Sequence, residues 1–108
     1  MKPPRVSTPV LLLMPAIIVY AKGTYYFDCS IRDLSDEGAR IAVPRNAQFP
    51  SSFYLIDVKG GMAHDVRMVR RAGSEVGVNF VRTIVLGGTR EPALDFLWRL
   101  WSARMARP

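Results

Sequence analysis

From Tyr25 to Arg32 apolar and polar positions alternate, with Phe27, Cys29 and Ile31 on one face and Asp28, Ser30 and Arg32 on the other. A strand with one buried face requires this pattern, because successive side chains leave opposite sides of the pleat. The alternation resumes at Ala39, Ile41 and Val43 against Arg40 and Ala42, and again at Val76, Val78 and Phe80. Between the first two runs, Asp33-Leu34-Ser35-Asp36-Glu37-Gly38 supplies turn formers, and Gly38 is expected to take a positive φ. Ile17, Ile18, Val19 and Tyr20 predict a strand over Pro15 to Ala21, preceded by a connector over Val10 to Met14. Further strands are predicted over Ser52 to Val58 and Ala63 to Arg71, joined by a hairpin at Lys59-Gly60-Gly61. The prolines of Pro44 to Ser51 mark a loop. Six strands at this spacing predict a mainly β protein built as a six-stranded antiparallel barrel.

The period changes near the C-terminus. Leu94, Leu97, Trp98, Trp101 and Met105 recur at helical spacing, and Pro92 suits a first turn, so one amphipathic helix is predicted from Pro92 to Met105. The two tryptophans share the apolar stripe, which makes them core that caps the barrel rather than a surface for stacking bases. The organisation expected is one domain over 1–108, with an N-terminal arm at 1–14, a barrel at 15–81 and a helix at 92–105. A chain of 108 residues has room for one core and no second.

Composition narrows the chemistry. A formal charge of +6 favours an anionic partner without choosing among phosphates, nucleic acid and acidic lipid. The single cysteine excludes an internal disulfide, and with one histidine beside it a Cys/His zinc site is excluded too. Cys29, between Phe27 and Ile31, is read as a buried thiol. Lys2 and Arg5 before the apolar run Val10 to Ala21 resemble the start of an export signal, but Pro15 interrupts the run. The run is also shorter than the roughly 20 residues that a membrane helix needs. A cytoplasmic protein with no membrane span is therefore expected. His64 beside Asp65 has no nucleophile and no glycine-rich oxyanion turn with it, so no enzyme is expected and no cofactor.

The segment from Cys29 to Ile41 holds Asp33, Ser35 and Gly38 at the spacing D-x-S-x-x-G between two predicted strands. In this it resembles the bacterial PilZ domains, where a D/N-x-S-x-x-G motif joins two barrel strands. The segment Val69 to Phe80, ending Gly77-Val78-Asn79-Phe80 before a terminal helix, is similar to the late hairpin of that family. The resemblance covers the chain from Pro15 onward and implies a six-stranded barrel with a C-terminal helix.

It also implies a ligand. PilZ domains hold the messenger cyclic di-GMP through this motif and through an R-x-x-x-R motif in the segment before the first strand. Carried over, Asp33 accepts from guanine N–H groups, Ser35 adds a hydroxyl hydrogen bond, and Gly38 lets the backbone turn close to the ligand. The arm departs from the pattern, carrying Lys2 and Arg5 where the family has two arginines. Lysine is a point charge without the planar fork of arginine. Arg40, Arg70 and Arg71 are the barrel residues that could replace the missing fork, and Arg40 is counted in the site.

Two functions follow from this pattern. One is a non-catalytic signalling module that binds cyclic di-GMP and relays it to a protein partner. The other is a degenerate PilZ-like domain that binds a protein without the nucleotide, for which Val10 to Met14, Phe96 and Leu100 are the expected apolar surface. Nucleic acid is not the expected partner.

Overall fold

The computed structural model describes residues 13–106. Six strands, β1 (Met14–Tyr20), β2 (Tyr25–Leu34), β3 (Gly38–Ala42), β4 (Ser52–Asp57), β5 (Met62–Ala72) and β6 (Glu75–Val85), precede the helix α1 (Asp95–Met105). Every neighbouring pair is antiparallel, and the order β1-β2-β3-β6-β5-β4 closes into a barrel. Closure leaves no strand edge open, so each central backbone group has a partner across the ladder. The fold is the mainly β barrel with one C-terminal helix that the alternation predicts.

Inside the barrel, Ala16, Ile18, Cys29, Ile31, Ile41, Leu55, Val66, Val76 and Val78 form one apolar cluster. Cys29 belongs to it, and burial pushes its thiol up to about 12. A second cluster lies on the outside of the sheet. Ile17 and Val19 of β1 leave the opposite face from Ala16 and Ile18, and they meet Ile56, Ala63, Ile84, Leu97 and Trp98. The helix therefore packs across the outer face of β1, β4, β5 and β6, which is why β1 is buried on both sides. Indole donors fix its position, Trp98 Nε1 to the Leu86 carbonyl at 2.6 Å and Trp101 Nε1 to the Val58 carbonyl at 2.8 Å. Arg104, near the end of α1, reaches the Asp28 carboxylate on β2.

Several boundaries differ from the sequence reading. Pro92–Leu94 forms a 3-10 turn, closed by the Leu94 N–H on the Glu91 carbonyl at 2.9 Å, and α1 starts only at Asp95. Met105 is exposed at the end of the stripe. Phe96 and Leu100 are not spare surface, because both pack on the second cluster and Phe96 meets Tyr54 edge to face. β6 continues to Val85, past the expected end near Phe80. A bulge causes that miss: Asp65 pairs with Arg82 and Val66 with Phe80, so Val81 has no opposite residue and the alternation changes phase there.

One end of the barrel gathers the start of β1 and the β2–β3 and β4–β5 turns. Met14 pairs with Ile31 near the end of β2, and the Pro15 carbonyl accepts from the Val58 N–H at 3.3 Å. His64 faces inward at this end, stacked on Phe80 with ring centroids 4.0 Å apart. Burial lowers its pKa, and the Asp57 carboxylate opposes that shift. At the other end, the β1–β2 connection places two non-glycine residues, Ala21 and Lys22, at φ 54°.

A left-handed conformation costs an L-residue about 1–2 kcal/mol. Lys22→Gly is therefore expected to raise the unfolding free energy by about 1 kcal/mol in a denaturant titration, after the added chain entropy of glycine is subtracted. A second expectation concerns pH. A histidine whose folded pKa lies below the unfolded value of 6.5 stabilises the fold above that pH and loses the contribution as pH falls through and below it. Melting between pH 7.5 and 5, on the order of the physiological range where histidine titrates, should show a fall on the acid side that His64→Phe flattens.

Candidate functional site

The β2–β3 connection is tighter than six turn formers suggest. Asp33 and Leu34 belong to β2, and only Ser35 to Glu37 turn the chain. The Ser35 N–H donates to the Gly38 carbonyl at 2.9 Å, and the Ser35 hydroxyl donates to the same oxygen at 3.2 Å. That hydroxyl oxygen also accepts from the N–H groups of Glu37 and Gly38, each at 3.3 Å. The Phe80 N–H donates to the Glu37 carbonyl at 2.8 Å and ties the turn to β6. Serine serves here because a short side chain can bond its own backbone two and three residues on.

Gly38 corrects an expectation. Its φ is not positive; the glycines at positive φ among the described residues are Gly23, Gly61 and Gly73. What position 38 needs is space, since a Cβ there would stand 2.1 Å from the Val78 carbonyl oxygen on β6. Gly38 pairs with Asn79, so β3 and β6 approach closely at the point where β3 leaves the turn.

This approach forms the floor of a groove of about 420 Å³. Asp33, Ser35, Gly38 and Arg40, the four expected site residues within the described chain, all line it, together with Val69, Arg70, Gly77 and Asn79. Lys2 and Arg5 lie outside the described residues. β1 begins at Met14 opposite Ile31, two positions from Asp33, so the start of β1 lies at the end of the barrel that holds the turn.

Within the groove Arg40 and Asp33 are paired. Arg40 donates to Asp33 Oδ2 at 2.6 Å and stands 3.3 Å from Glu75 Oε2, with the pair half exposed to solvent. Such a pair contributes little to stability, about 0–1 kcal/mol, and exchanges partners readily. Among the described residues Arg70 meets no carboxylate. Its stem runs over Gly77, where a Cβ would come within 3.1 Å of Arg70 Cγ. Arg71, next along β5, turns away. It donates to the carbonyls of Gly73 and Arg45 and lies over the Phe49 ring, outside the groove.

The lining holds two arginines, Arg40 and Arg70, two acidic residues, Asp33 and Glu37, and Asn79, on a concave strip rimmed by exposed Leu34 and Val69. Asn79 and Glu75 are the members that motif reading misses. Only the register of β3 against β6 brings them to Gly38 and Ala42. Among the described residues no three His, Cys, Asp or Glu side chains group to hold a metal ion. No helix among them is long and apolar enough to cross a membrane.

Gly38→Ala forces β3 from β6 or displaces the Val78 carbonyl. The expected cost is about 1–3 kcal/mol of unfolding free energy, as for other overpacked sites. Ser35→Ala, which removes three hydrogen bonds of the turn but leaves the strands in place, should cost less, and denaturant unfolding of both variants checks the order.

No family model and no curated protein matches this chain.

Proposed function

We propose that the protein is a non-catalytic cytoplasmic signalling module whose groove binds cyclic di-GMP and presents the occupied face to a protein partner. The observation that carries this reading is the convergence of Asp33, Arg40, Arg70 and Asn79 on one strip beside the Ser35 turn. A cyclic dinucleotide has two phosphates and two guanines. Guanidinium forks suit its phosphates and the O6/N7 edge of guanine, while a carboxylate accepts from guanine N1–H and N2–H. The D-x-S-x-x-G motif that resembles PilZ domains supplies the carboxylate and the turn.

The Arg40–Asp33 pair defines how the ligand enters. A phosphate takes Arg40 as its partner, and guanine N–H groups take Asp33, so neither charge is left without a counterpart. Arg70 supplies the second fork. Lys2 and Arg5, which precede β1 in the chain, add positive charge for the ligand. In this scheme the Ser35 hydroxyl shapes the turn and acts on the ligand through the backbone that it holds.

The second reading, a protein-binding domain without a nucleotide, is favoured by exposed Leu34 and Val69 on the groove rim, 44% and 55% exposed. Isothermal titration separates the two. Saturable binding of cyclic di-GMP is expected, weakened by about one to two decades in Asp33→Ala and in Arg70→Ala, the loss of hydrogen bonds to charged groups being about 1.5–3 kcal/mol. Arg5→Ala should weaken it as well. Heat indistinguishable from dilution at high micromolar ligand overturns the nucleotide reading and leaves the protein-binding one.

A further inference from the structure

The mouth of the barrel beside the β2–β3 turn is a second recess, of about 440 Å³, separated from the groove by Leu34 and Ser35. Asp57 and His64 sit in it, 6% and 5% exposed, the two buried polar side chains among the described residues. The register explains their placement. Leu55 points into the barrel, Asp57 follows two positions on, and Leu55 pairs directly with His64, so all three share the inward face.

Both side chains are half satisfied. Asp57 Oδ1 accepts from the Gly60 N–H at 3.0 Å, and among the described residues no donor reaches Oδ2. A glycine is needed at position 60, because a Cβ would stand 2.3 Å from that same Oδ2. His64 Nδ1 lies 2.9 Å from Thr83 Oγ1, while Nε2 is buried without any partner. Burial of an unpaired polar atom costs free energy that a ligand would recover. Met62 and Phe80 give the recess apolar walls, and Asp36 adds a carboxylate to its lining.

With Nδ1–H donating to Thr83, the recess holds three acceptors, Nε2, Asp57 Oδ2 and the Asp36 carboxylate, and the Thr83 hydroxyl as a neutral donor beside them. Two carboxylates beside a neutral imidazole repel an anion and attract a cation that donates hydrogen bonds. We propose that this recess binds a ligand carrying an alkylammonium or guanidinium group, its cation between Asp57 Oδ2 and His64 Nε2 and its carbon stem along Met62 and Phe80. The group belongs to a free amine or guanidine, or to a lysine or arginine side chain of a bound peptide. The site is independent of the nucleotide groove, since it uses neither Asp33 nor Arg40 nor Arg70.

The test is a titration of protein labelled with ¹⁵N at histidine, read at the ring nitrogens of His64, the one histidine of the chain. Propylguanidinium and the N-acetyl amide of arginine are the probes, and inorganic phosphate is the anionic control. The free protein should show His64 in the Nδ1–H form, and propylguanidinium should shift Nε2 saturably. Asp57→Asn keeps the Oδ1 acceptor for Gly60 and removes the charge; it should weaken binding at least about tenfold, one decade corresponding to 1.4 kcal/mol. A response to both probes assigns a side chain as a competent ligand, and a response to propylguanidinium alone assigns a free small molecule. Asp33→Ala, which tests the groove, should leave the titration unchanged. An Nε2–H tautomer, no saturable shift, an equal response in Asp57→Asn, a response to phosphate, or loss of the shift in Asp33→Ala each overturns the proposal.

Discussion

The approach of β3 to β6 at Gly38 is the constraint on which the remaining structure depends. With only a hydrogen on Gly38, the Val78 carbonyl fits against its backbone, and β3 can pair with both β2 and β6. That pairing joins the β1–β2–β3 half of the sheet to the β6–β5–β4 half and closes the barrel. The same contact fixes where the chain leaves the Ser35 turn. It therefore sets the distance between Asp33 and Arg40 on one side and Arg70 and Asn79 on the other, so barrel closure and groove geometry have one origin.

The helix solves a different problem. A closed six-stranded barrel fills its interior with inward side chains, yet β1 carries apolar residues at consecutive positions, Ile17, Ile18 and Val19, so Ile17 and Val19 must face outward. Leu97, Trp98 and Trp101 cover that outer face, and the indole donors cap carbonyls at Leu86 and Val58. The helix thus lies over β1, β4 and the Ala63 and Ile84 ends of β5 and β6, away from the groove, which uses Val69 and Arg70 of β5 and Gly77 to Asn79 of β6. The groove stays open because the outward positions around it are polar or isolated, as at Arg40, Arg70 and Asn79.

Period-two alternation made the strands legible, since a half-buried strand writes its burial into the sequence two residues at a time. Asp33, Ser35, Gly38 and Arg40 were legible as a group because they are close in the chain, and all four line one groove. What the sequence hides depends on register. The bulge at Val81 reverses the phase of β6, which concealed its last residues and the inward position of Thr83. Asn79 and Glu75 enter the site only through the β3–β6 ladder. Gly38 shows the limit of reading residue types locally: a turn glycine suggests positive φ, but the demand here comes from a carbonyl forty residues along the chain, roughly the separation at which only tertiary contact can act. His64 and Asp57 are a further case. Each reads as an ordinary strand residue until the inward position of Leu55, paired with His64 and two residues before Asp57, places both in the barrel.

The β2–β3 turn is shared by two cavities of opposite character. On one side Arg40 and Arg70 face the groove, and on the other Asp57, Asp36 and the unpaired His64 nitrogen face the recess. Ser35 lines both, with its hydroxyl held by three backbone contacts inside the turn. The turn meets the wall of the recess at Phe80, whose N–H is bonded to the Glu37 carbonyl and whose ring is stacked on His64. The two cavities nevertheless draw on different charged side chains, Asp33, Glu37, Arg40 and Arg70 for the groove and Asp36, Asp57 and His64 for the recess, so their occupants compete for no common charge.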